Sequence, residues 1–146
     1  MKVLWFSVTP SLFHSYSNGH NGGGWIASLE SIVRQVQEVE LGIAFNFAAE
    51  GFVYEQDGVK YYPISHESLE TYKQIIDDFK PDLIQIFGSE NDFGRICDTS
   101  EVPVVIHMQG CLPPYHNALL PVGMSKTDFI LQKGLSLRYR YIGLRS

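Results

Sequence analysis

A run of three glycines, Gly22-Gly23-Gly24, stands immediately before Trp25 and a helical pattern. Glycine lets a backbone approach a ligand closely, and a helix starting there offers unpaired N–H groups and the positive end of its dipole to an anion. The spacing fits phosphate or sugar binding, and it fits equally a flexible lead-in that only starts the helix. No Lys-Ser/Thr follows the triplet, which excludes a P-loop. The loop from Thr9 to about Gly24 is also too long for a dinucleotide fingerprint, whose first glycine follows the strand at once. The same mismatch argues against a methyl-donor site, and no G-x-S-x-G supplies a hydrolase nucleophile.

The remaining polar residues make weaker patterns. His14 and His20 lie in the long loop at a separation that matches no helical face, so they read as solvated or substrate-bonding residues and no metal is expected. His107 falls within an apolar run and reads as a buried strand residue satisfied by a neighbour. Cys97, beside Ile96, is expected in the core. Cys111 stands nearer the presumed site without an adjacent base. Glu30 and Glu38 have the spacing of an E-x7-E pair, and both read as polar-face residues of the first helix.

The elements that must hold these residues alternate. Lys2–Val8 is a short apolar run, read as a strand. Trp25 to Glu38 carries Ile26, Leu29, Ile32, Val33 and Val36 at helical spacing. Glu40–Phe47 is a second strand, and Phe52–Ile64 reads as a hairpin about Asp57-Gly58, a type I′ turn pair. Ser65 can cap a helix that runs to Phe79, which Pro81 closes. Asp82–Gly88 is a strand, a short helix runs from about Asn91 to Asp98, and Pro103–Met108 is the last strand. Continuous apolar strands alternating with helices indicate an α/β, Rossmann-like, doubly wound and mostly parallel sheet with helices on both faces. In such a sheet ligands bind beyond the carboxyl ends of the strands, where three loops would meet: Ser7–Gly24, Gly88–Asn91 and Gln109-Gly110.

Composition narrows the class. The 146 residues carry a net charge of −5, with 45% hydrophobic and 18% charged residues, which is ordinary for one globular domain. Two cysteines are too few for a disulfide framework. An acidic chain lacks the basic face that nucleic acid requires, so no nucleic-acid partner is expected. The apolar start stops at Ser7, too short for a signal peptide or a membrane span, which points to a cytoplasmic protein. Residues 1–111 hold 6 basic and 15 acidic residues, whereas 112–146 hold 5 basic against 1 acidic. That poorly patterned basic tail could meet another domain or an anionic membrane surface, so the chain could be membrane-peripheral.

Met1–Phe6, then Gly22-Gly23-Gly24-Trp25, Lys80–Glu90 with its K-P-D start, and Pro103–Gly110 stand in the order found in family 4, GT-B-fold glycosyltransferases. The sequence resembles the N-terminal domain of that family over roughly its first 110 residues. The resemblance implies two facing Rossmann-like domains, of which this chain is the acceptor-side half and a C-terminal donor domain is absent. It implies a retaining, metal-independent transfer from a nucleotide-sugar donor to a saccharide or lipid-linked acceptor, with no cofactor besides that substrate. By position, Gly22, Gly23 and Gly24 would lie against donor phosphate or sugar, Gln109 and Gly110 against sugar hydroxyls, and Glu90 and Asn91 against acceptor or donor hydroxyls. Many members carry a histidine where Gln109 stands, and here the nearest histidine is His107. The family's E-x7-E belongs to the donor domain, so Glu30 and Glu38 are not that motif, and the 146 residues alone are expected to be inactive. The other reading is a stand-alone flavodoxin-like module that binds a small ligand or a protein without catalysis.

Overall fold

Lys2–Ser7 forms β1, a central strand whose neighbours on both sides run parallel to it. Side chains alternate across a strand, so Val3 and Trp5 enter one face of the sheet and Leu4 and Phe6 the other. The computed structural model describes residues 1–13, 24–48, 51–89 and 91–108, all within one compact unit spanning Met1–Gln109. In chain order the further elements are α1 (Gly24–Val33), β2 (Glu40–Asn46), β3 (Tyr54–Gln56), β4 (Val59–Ile64), α2 (Leu69–Phe79), β5 (Leu83–Phe87), a 3₁₀ helix (Asp92–Asp98) and β6 (Val104–His107). The fold is α/β, with a six-stranded sheet in the order β3-β4-β2-β1-β5-β6. Every pair is parallel except the β3–β4 hairpin, consistent with a Rossmann-like fold.

Each face has its own core. Ile26, Leu29 and Val33 of α1 pack with Val3, Trp5, Leu41, Ile43 and Phe87 on one side. Tyr72, Ile75 and Phe79 of α2 pack with Leu4, Phe6, Ala44, Ile84 and Ile86 on the other, joined by Phe93 and Ile96 of the 3₁₀ helix. The hairpin turns at Asp57-Gly58 with φ of 50° and 77°, positive at both residues as a type I′ turn requires.

Two boundaries and two burial expectations are corrected. α1 stops at Val33 rather than Glu38, because Gln35 and Val36 donate to the carbonyls of Ile32 and Val33, three residues back, and tighten the chain into a turn. α2 is capped by Ser68 rather than Ser65: the Ser68 hydroxyl accepts from Thr71 N–H at 3.1 Å. The short helix expected after Asn91 is present as a 3₁₀ helix over Asp92–Asp98. His107 is exposed rather than buried, since β6 pairs only with β5 among the described residues and Trp25 covers only part of its ring. Cys97 is exposed on the outer side of the 3₁₀ helix, while its neighbour Ile96 takes the core position. The basic tail, residues 112–146, lies outside the described residues.

Gly42 measures how closely α2 sits on the sheet. A Cβ there would meet Phe79 Cε2 at 2.9 Å and Leu4 Cδ1 at 3.1 Å. Gly42→Ala is therefore expected to lower the unfolding free energy by about 1–3 kcal/mol, the usual cost of overpacking. Chemical denaturation checks it, and an unchanged midpoint would show that α2 shifts freely.

Candidate functional site

The strand order fixes where a ligand can reach the sheet. From β1 the chain moves outward through β2 to β4, and then crosses back to place β5 on the other side of β1. The strand order thus reverses between β1 and β5, and the carboxyl ends of these strands are the position where open α/β sheets bind ligands.

On the β1 side the chain leaves through Ser7 and Thr9, both buried, with Thr9 N–H donating to Ser7 Oγ at 3.1 Å. A turn follows in which Phe13 N–H donates to the Pro10 carbonyl at 3.1 Å and Ser11 takes a left-handed φ of 54°. Phe13 then plugs into the core against Phe45 and Tyr61, with ring centroids 5.3 and 5.2 Å away. Leu12 N–H donates to Glu30 Oε2 at 3.1 Å, tying the loop to α1. Gly22 and Gly23, with His14 and His20, lie outside the described residues. Gly24 opens α1, is exposed, and has open space where a Cβ would stand.

Trp25, the second residue of α1, is 44% exposed. Its ring packs edge-on against Phe87 at 5.4 Å and lies 5.2 Å from His107, tilted by 31°. Thus the start of α1 and the carboxyl ends of β5 and β6 share one exposed aromatic surface. In the sequence Trp25 marks only a helix start, and His107 falls within a strand-like run. No local signal joins two residues so far apart in the chain.

On the β5 side, Gly88 has φ of 93° and donates its N–H to the His107 carbonyl at 2.9 Å. That left-handed conformation, natural to glycine, turns the chain away from the sheet. Asn91 follows at the start of the 3₁₀ helix, and both its Oδ1 and Nδ2 are buried without a hydrogen-bond partner. At the end of β2, Asn46 Nδ2 donates to Glu67, while Asn46 Oδ1 is likewise buried and unpaired. Unmade bonds of this kind cost about 1–3 kcal/mol each. Of the expected site residues, Gly24 and Asn91 stand at this edge, whereas Glu90, Gln109 and Gly110 lie outside the described residues. Among the described residues no group of His, Cys, Asp and Glu side chains is placed to hold a metal ion, and no helix is long and apolar enough to cross a membrane.

Glu30 is the polar centre of the α1 face, not a residue of its polar side. It is fully buried and accepts from Leu12 N–H, from Arg34 Nε at 2.8 Å and from the Tyr61 hydroxyl. Arg34 also donates to Tyr61 Oη at 2.6 Å and pairs with Asp57 at 3.2 Å. Burial, then the hydrogen bond to Glu30, pushes the Tyr61 phenol far above its ordinary range, so it stays protonated and donating. Glu38 is exposed beyond the helix, and only its carbonyl is used, by the N-terminal amine at 2.6 Å.

Glu30→Ala is expected to cost about 3 kcal/mol, the range for removing one partner of a buried pair. Glu38→Ala should change stability by less than about 0.5 kcal/mol, as exposed substitutions do. Urea unfolding of both variants checks this, and equal losses would remove Glu30 from its role.

No protein-family model, no curated protein and no solved structure matches the chain.

Proposed function

We propose that the carboxyl edge of the sheet binds a sugar, and that the chain is the acceptor-side half of a retaining, metal-independent glycosyltransferase with a nucleotide-sugar donor. The observation that carries the reading is Asn91, whose buried amide lacks partners just past the strand-order reversal. An amide offers donors and acceptors together, which is what sugar hydroxyls complement. Two features support it. Trp25 and His107 give a half-exposed aromatic surface at this edge, suited to the apolar face of a sugar ring. The exposed N-terminus of α1 at Gly24 offers free N–H groups to a donor phosphate. The cationic groups that would stabilise a leaving phosphate belong, on this reading, to a second domain.

Asn91→Ala and Gly24→Ala separate binding from folding. Asn91 loses no hydrogen bond seen in the structure, and a Cβ at Gly24 meets nothing. Both should leave stability within about 0.5–1 kcal/mol of the parent. Asn91→Ala is expected to weaken sugar or sugar-phosphate binding by about tenfold, one neutral hydrogen-bonded contact or more. Calorimetric titration with a panel of nucleotide sugars and sugar phosphates reads this out, alongside a transfer assay on the full reading frame. Unaltered affinity in both variants, or no binding by the parent chain, would end the proposal.

A further inference from the structure

Trp25 does not stand alone on the surface. Val105, two residues before His107 and therefore on the same face of β6, is 51% exposed. Neither β5 nor β6 carries a charged residue. Single exposed hydrophobic residues are ordinary on proteins, whereas several together at the ligand-binding edge of an α/β sheet point to a contact.

The indole is also held in place from one side only. Buried Phe87 meets Trp25 at 5.4 Å, and behind Phe87 stands buried Trp5 at 5.1 Å. His107 lies 5.2 Å from Trp25 and 5.9 Å from Phe87. These three centroids form a nearly equilateral triangle, so Phe87 and His107 stand to the same side of Trp25. Its exposed part is the other side. A flat side chain already fixed by its neighbours loses little freedom when a ligand covers it.

Chemistry limits what can cover it. An anion has no cationic side chain to meet on β5 or β6. A neutral ring with C–H groups on one face suits the negative face of an indole, and hydroxyls around its rim can turn toward polar groups at the edge. A pyranose has that shape. An open-chain polyol carries similar hydroxyls on no fixed face.

We infer that Trp25 restricts the carboxyl-edge site to ring-closed sugars: a pyranose lays a C–H face on the open side of the indole, and an open-chain polyol is discriminated against. The inference rests on the sugar reading of that edge, and adds to it the form of the ligand and the residue that selects it.

The test titrates the 146-residue chain with glucose, galactose and mannose, each against its alditol: sorbitol, galactitol and mannitol. Calorimetry gives affinity, and acrylamide quenching of tryptophan emission gives the place of contact. The chain has two tryptophans, and Trp5 is buried, so quenching reports Trp25. A sugar that binds is expected to protect Trp25 from acrylamide and to bind about tenfold more tightly than its alditol, which removing roughly 60 Å² of apolar surface from water supplies. Trp25→Leu keeps an apolar cover on Phe87 without a flat face, and should bind ring and alditol equally while still unfolding cooperatively. Trp25→Phe restores a smaller flat face, and should recover a preference of about threefold. Sugar binding that leaves quenching unchanged, or equal binding of ring and alditol by the parent, overturns the inference while the sugar reading stands. So does a preference that survives in Trp25→Leu. No binding of any sugar ends the sugar reading, and the inference with it.

Discussion

The buried carboxylate of Glu30 is the interaction on which the α1 side of the molecule depends. It joins four separate pieces of chain: the loop after β1 through Leu12, α1 through Arg34, β4 through Tyr61 and, by way of Arg34, the hairpin turn at Asp57. An unpaired carboxylate at zero exposure would be prohibitive. Every piece must therefore arrive together, or the charge is left uncompensated. Replacing such a network by apolar groups can be neutral, but removing one member is costly. That asymmetry gives Glu30 a specifying role: it fixes the position of α1 on the sheet, and with it the start of the helix at the carboxyl edge.

The carboxyl edge inherits its geometry from this anchoring and from topology. Phe13 and Leu12 hold the β1 loop to the core up to the last described residue before α1. Trp25 is carried onto Phe87 and His107 because the start of α1 reaches β5, while the rest of the helix packs with β1, β2 and β4. The unpaired amide of Asn91 and the unpaired oxygen of Asn46 stand at the ends of the β5 and β2 paths, on opposite sides of β1. Elsewhere in the described core polar groups are few and mostly bonded, as with Tyr62 Oη to Asp78 at 2.7 Å. The concentration of unmet hydrogen bonds at this edge is where the fold gives up stability, and such positions are where ligand contacts gain most.

The two faces of the sheet are covered unequally. On one face α1 and Phe13 seal the strands with an aromatic cluster built on Phe45 and Tyr61. On the other, α2 is held tightly over Gly42 by Phe79, yet the neighbouring place is taken by a short 3₁₀ helix that cannot span the sheet. Tight packing at one end of α2 and a cavity along its side follow from the same chain economy between β5 and β6.

The sequence by itself determined the strands, the class of the sheet and the hairpin. Apolar runs such as Leu4–Phe6 and Ile84–Phe87 are local patterns that need no partner to be recognised, and Asp57-Gly58 dictates its own turn. It also pointed to the carboxyl edge, with Gly24 and Asn91, because that edge follows from strand and helix alternation alone. Tertiary structure decided the rest. The burial of Glu30 depends on Tyr61, 31 residues away, so no local periodicity could move it off the polar side of its helix. Among the described residues β6 stands beside β5 alone, which leaves His107 exposed, and strand position in a sheet is a matter of pairing rather than of apolar content. The cavity by α2 depends on the 3₁₀ geometry of Asp92–Asp98, a choice made by how Phe93 and Ile96 reach the core, not by the residues' own helical preference.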